Sequence, residues 1–95
     1  MRADLNTIEK AMLTVFQHLR DRGIDSLELE KDFYWNIAAE QRFDPYREPD
    51  DFSLGQLSDD WTEIEKIAAG QQEPLGYCLV WMAALIRYIG EREPS

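Results

Sequence analysis

Leu5, Ile8, Met12, Val15, Phe16 and Leu19 recur at spacings of three and four residues, which predicts an amphipathic helix. Asp4 suits its N-cap and Gly23 its C-terminal stop. His18 lies at the polar edge of that stripe. The pattern then changes period. Leu27, Leu29, Phe33, Trp35 and Ile37 are all odd-numbered, with Glu28, Glu30, Asp32 and Asn36 between them. Period two marks a half-buried extended segment, to which Lys31 and Tyr34 are the exceptions. One strand alone is not stable, and the only local partner is Phe52 to Leu57. Whether residues 27–37 and 52–57 pair stays open at this level. Asn36 is a candidate N-cap for a short helix from Ile37 to Phe43, ended by Asp44-Pro45 because the residue before proline avoids helical geometry.

Leu54, Leu57, Trp61, Ile64 and Ala68 predict a third helical face, closed by Gly70. Its start is either Ser53, which forms a capping box with Gln56, or Ser58, followed by Asp59 and Asp60 in the first turn. Gly55 is unfavourable inside the longer helix, so the later start is preferred. The last helix is expected from Pro74 onward. From Leu75 to Ile89 nearly every position is apolar on all sides, the mark of a helix buried over most of its surface. The expectation is one mainly α domain over residues 1–95: a compact three-to-four-helix unit with a central apolar C-terminal helix and an extended or weakly β-paired acidic middle.

Charge alters this picture. The net charge is −9, yet Asp21 to Glu65 carries fourteen acids against four bases. The negative field belongs to the middle of the chain. It disfavours nucleic acid and anionic membrane and favours a basic protein partner. The longest apolar run, Leu75 to Ile86, is shorter than the roughly 20 residues a bilayer needs. The N-terminus carries Arg2, but Asp4, Asn6, Glu9 and Lys10 interrupt any apolar run, so no signal peptide is expected. With the single Cys78, this points to a cytoplasmic protein.

The chemistry-bearing residues are sparse. Cys78 and His18 are each the sole member of their type, and they fall on separate helices. Cys78 reads as a small core thiol and His18 as a surface histidine. The glycines form no phosphate-binding loop. Asp50-Asp51 and Asp59-Asp60 lack the spacing of a calcium loop. No catalytic, cofactor or metal residues are therefore expected. The aromatics carry more information. Phe33 and Trp35 are expected to face the core and meet a stripe of Tyr77, Trp81 and Tyr88. Tyr34 then falls on the opposite face, exposed beside Glu28, Glu30 and Asp32, which is the composition of an interface anchor. Tyr46, between Pro45 and Arg47 and near Asp50 and Asp51, has the same character.

The stretches "DFYWNI", "GQLSDDW" and "EPLGYCLVWMAALIRYIG" resemble a group of small bacterial proteins of unknown function. The resemblance covers Leu27 to Gly90 and implies a bacterial origin and a compact helical fold, with no activity attached. In strategy alone the chain is similar to colicin-type and contact-dependent-inhibition immunity proteins. Those are small, acidic and often helical, and cover basic nuclease toxins with acids and exposed tyrosines. Their paired tyrosines followed by proline are absent: Trp35 and Asn36 follow Tyr34. The expected function is non-catalytic protein binding, in its sharpest form an immunity-type inhibitor of a basic toxin. The alternatives are a homodimer joined through aromatic or strand edges, and a small carboxylate-dependent enzyme with a cleft and a raised carboxyl pKa.

Overall fold

A computed structural model describes residues 1–93 of the chain. The element order is α1 (Leu5–Asp21), β1 (Phe33–Ile37), α2 (Ala39–Arg42), β2 (Phe52–Gln56), α3 (Leu57–Ala68) and α4 (Cys78–Arg92). The fold is mainly α, with one small antiparallel sheet. Asp4 caps α1 by accepting from the backbone N–H and the hydroxyl of Thr7. At the other end Gly23 takes a φ of 84°. Its N–H donates to Arg20 O and that of Ile24 to Leu19 O, the paired bonds of a left-handed C-terminal cap.

The strand pairing that the sequence left open is present, over Phe33–Ile37 and Phe52–Gln56, and its register is set. Phe33 pairs with Gln56, Tyr34 with Gly55, Trp35 with Leu54, Asn36 with Ser53, and Ile37 with Phe52. Asn36 is thus a strand residue, and the short helix begins at Ala39 rather than Ile37. Arg42 folds back from that helix to donate to Asn36 Oδ1 and Ile37 O. Gln41 ties the acidic loop to the strand ends, its Oε1 accepting from the N–H groups of Asp50 and Asp51 at 2.9 and 2.8 Å.

The period-two reading is correct, but its phase is not constant. Leu27 and Leu29 are half-buried, and so are Asp32 and Tyr34, whereas Phe33 and Trp35 are exposed. Alternation breaks between Leu29 and Asp32, and Lys31, the charged residue at an odd position, marks the break. A one-residue slip transfers every later side chain to the opposite face. The expectation that Phe33 and Trp35 enter the core is therefore reversed.

The core is small. Leu57, Leu85 and Tyr88 are buried together, with Leu29, Tyr34, Ile64 and Ala84 packed around them. The Tyr88 hydroxyl accepts from Glu30 N–H at 2.9 Å and donates to Glu28 O, fastening the extended segment to α4. The start of α3 is capped from a distance. Asp32 accepts from Ser58 N–H at 2.8 Å, from the Ser58 hydroxyl and from the Gln56 amide, and its carbonyl accepts from Leu57 N–H. These bonds, that from Gln56 first, hold the Asp32 carboxyl below its ordinary value. A depressed carboxyl stabilises the fold above the unfolded pKa, and that contribution is lost as pH falls through the folded pKa. Acidification below about pH 4 is expected to lower the wild-type melting temperature. An Asp32→Asn variant should start lower at neutral pH and fall less steeply with acid. Thermal melts from pH 6 to pH 2 check this, and parallel curves would remove Asp32 from the account.

Two departures concern α4. It begins at Cys78, four residues after Pro74, because Leu75, Gly76 and Tyr77 form turns closed by short-range bonds. It is also not wrapped by the other helices. It packs on α3 through Leu85 and Tyr88 and leaves Leu79, Val80 and Ile86 open. The substantial contacts between elements are those of β1 with β2 and of α3 with α4; α1 makes none of that extent. The chain is accordingly open. Its radius of gyration is 15.1 Å, against about 12 Å for a compact domain of this length.

Candidate protein-binding surface

Cross-strand partners project from the same face of a sheet. The register therefore places Phe33, Trp35, Ile37, Phe52 and Leu54 together on one face and Tyr34, Asn36, Ser53 and Gly55 on the other. The small and polar face turns inward at Tyr34, Asn36 and Gly55, which are half-buried, while Ser53 stays exposed. The aromatic face turns outward, with Phe33, Trp35, Phe52 and Leu54 exposed to 63%, 70%, 49% and 64%. Trp35 and Phe52 meet edge to face across the strands, 6.0 Å between centroids.

Tyr34 explains why this inversion is stable. Its ring covers Gly55, and its hydroxyl donates to Asp60 Oδ2 at 2.6 Å. Asp60 is the one charged residue buried among the described residues, only 7% exposed. Burial first, then the bond to Asp60, raises the Tyr34 phenol well above its ordinary value. Tyr34 is therefore a core residue, and its expected exposure is corrected. Its cross-strand glycine was the available signal, legible only once the register is known.

The other expected binding residues are dispersed. Tyr46 is fully exposed on the hairpin loop, as is most of Phe43. Asp50 is bridged to Arg47 at 3.2 Å and bonded to Gln41 within that loop. Asp51 lies beside it, its carbonyl accepting from Ala38 N–H. Glu30 forms a two-oxygen pair with Arg92, 2.9 Å on each side, and Asp32 caps α3. Glu28 is exposed and offers its carbonyl to Tyr88. The sequence pattern placed the exposed aromatic of this segment at Tyr34; the exposed side chains are Phe33, Trp35, Phe52 and Leu54.

Cys78 is buried on α4 and His18 exposed on α1. Among the described residues no group of three or more His, Cys, Asp or Glu side chains is placed to hold a metal ion. No helix there is long and apolar enough to cross a membrane. An open depression of about 420 Å³ lies in the hairpin loop between Gln41, Arg42, Tyr46 and Arg47. Compared with protein-family models, curated proteins and solved structures, the chain matches none.

Proposed function

We propose that the protein acts by binding another protein, without catalysis, through the outer face of its β-hairpin. The observation that carries this reading is the cluster of Phe33, Trp35, Phe52 and Leu54 on one exposed sheet face. A soluble two-stranded sheet normally turns its apolar face to its own core. Here the chain directs its polar face inward and keeps four large apolar side chains available. Aromatic residues dominate binding hot spots because they bury much area at little entropic cost.

Charge defines the partner. The hairpin and its surroundings belong to the acidic stretch, Asp21 to Glu65, with fourteen acids and four bases. A basic protein is steered toward such a surface, and acidic cover of a basic protein is also the working principle of toxin immunity proteins. Charge sets the association rate, while the desolvated aromatic contact sets dissociation.

The test is capture of the partner from native lysate by wild type and Trp35→Ala, followed by affinity measurement with the purified partner. Trp35→Ala should weaken binding about 100-fold. Its stability loss should stay near the ~1 kcal/mol of one aromatic pair. Association should slow as salt rises. Equal affinity of wild type and variant for every captured protein would remove the hairpin face from the function.

A further inference from the structure

We propose that α1 is a self-association element that pairs with α1 of a second copy of this chain. The surface is distinct from the hairpin face and does not depend on the reading given for it.

Leu5, Ile8, Met12, Val15 and Leu19 follow one another at intervals of three, four, three and four residues. That is the a and d pattern of a heptad repeat, whose 3.5-residue period keeps a seam aligned with a second helix. Within the chain this seam is only partly covered: Met12 and Leu19 are half-buried, while Leu5, Ile8 and Val15 stay exposed. No residue of α1 is buried, and α1 packs extensively on no other element. Ile8 and Val15 remain 45% and 56% exposed. Seventeen residues are close to the limit at which an isolated helix is marginal in water, so an amphipathic helix of this length draws its stability from covering its apolar face.

Area supports a second copy as the cover. A folded monomer of 11.1 kDa exposes about 5,700 Å². This chain exposes 8094 Å². The excess, about 2,400 Å², exceeds the ~800 Å² per partner of a standard interface. It accommodates a homotypic seam in addition to the hairpin face. A second copy supplies a helix of the same period and length. The positions flanking the seam are Glu9, Ala11, Phe16 and His18, so few like charges meet across it. A lipid surface fits less well, because the polar side of α1 mixes Glu9 and Asp21 with Lys10 and Arg20 and has no excess of bases.

The test is sedimentation equilibrium of the full chain from 1 to 100 μM, about the range of ordinary dimer constants. Wild type is expected at twice 11.1 kDa. Because each copy carries a charge of −9, its self-association should tighten with salt, opposite to binding of a basic partner. Ile8→Asp with Val15→Asp should raise the dissociation constant about 100-fold or more. Leu13→Asp, also exposed but off the seam, should leave it unchanged. As a second readout, Met12→Cys should join into dimers with a short bismaleimide, while Leu13→Cys should not; the native Cys78 is buried. Monomeric wild type across the range would overturn the proposal. So would a double variant that associates like wild type, or association lost only in Trp35→Asp, which would assign self-pairing to the hairpin face. Trp35 variants that bind no partner but still dimerise through α1 would separate this proposal from the hairpin reading.

Discussion

Gly55→Ala is expected to cost about 3 kcal/mol, lowering the melting temperature by roughly 15 °C. A Cβ built on Gly55 would fall inside contact distance of Tyr34 Cζ and Cε2 and 2.6 Å from its Oη. The atoms it meets belong to a long side chain, but that side chain is not free to move. Its hydroxyl is bonded to Asp60, and its ring packs against the buried Leu57, Leu85 and Tyr88 cluster. Adding one methyl group therefore either parts the strands at the Tyr34–Gly55 pair or expels the ring and strands Asp60. Gly55 does not have a positive φ, so backbone strain contributes nothing to this cost. The substitution acts through close approach alone, as glycine inside a strand often indicates. Ser53→Ala, two residues away on the same strand and exposed, is the matched control and should change stability by less than about 0.5 kcal/mol. Chemical denaturation of both variants decides the matter. If Gly55→Ala melted with wild type, the covering of Gly55 by Tyr34 would not be part of the fold.

The same glycine shows how far the sequence could be read. Elements with their own local signals were legible: the 3-4 stripe and caps of α1, an extended segment through Phe33–Ile37, and a third helix starting near Ser58; whether the extended segment pairs with residues 52–57 was not. Gly55 was recognised as unsuited to a helix, and it lies in β2. The candidate surface was less legible, because it depends on which face of the hairpin turns inward. That choice is made by contacts between residues far apart in sequence. Tyr34 needs a glycine opposite it, Asp60 needs a donor, and Asp32 leaves the alternation to cap α3 at Ser58. Hydrophobicity alone argues for the opposite face, since Phe33, Trp35, Phe52 and Leu54 are more apolar than Tyr34, Asn36 and Ser53. The structure buries a tyrosine–carboxylate pair and leaves those four apolar side chains exposed, an inversion that the protein-binding proposal would account for. The all-round apolar character of α4 misled for a related reason. It signals burial, but the chain by itself covers only the Cys78, Leu85 and Tyr88 side.

Tyr34→Phe is expected to destabilise the fold by about 2 kcal/mol, and Asp60→Leu added to it should restore most of that loss. The phenylalanine keeps the ring over Gly55 and the packing against Leu57, so only the hydroxyl is removed. Asp60 then remains 7% exposed with no Tyr34 donor, and leaving a buried acceptor unsatisfied costs more than the bond itself contributes. Replacing the carboxylate by leucine of similar shape removes that penalty. The double-mutant cycle should therefore show coupling of about 2 kcal/mol, whereas strict additivity would mean that the bond at 2.6 Å contributes nothing. A pH series gives an independent readout. The folded phenol titrates above its ordinary 10.0, so the folded state keeps a proton that the unfolded chain has lost. Stability from this source is complete below the unfolded pKa and declines as pH rises from there toward the folded value. Wild type should accordingly lose stability above about pH 10 more steeply than Tyr34→Phe. Because the pair lies on the inner face of the hairpin, these variants should leave partner binding intact at temperatures where they are folded. Trp35→Ala should do the reverse, and that contrast separates the residues that hold the hairpin in place from those it presents.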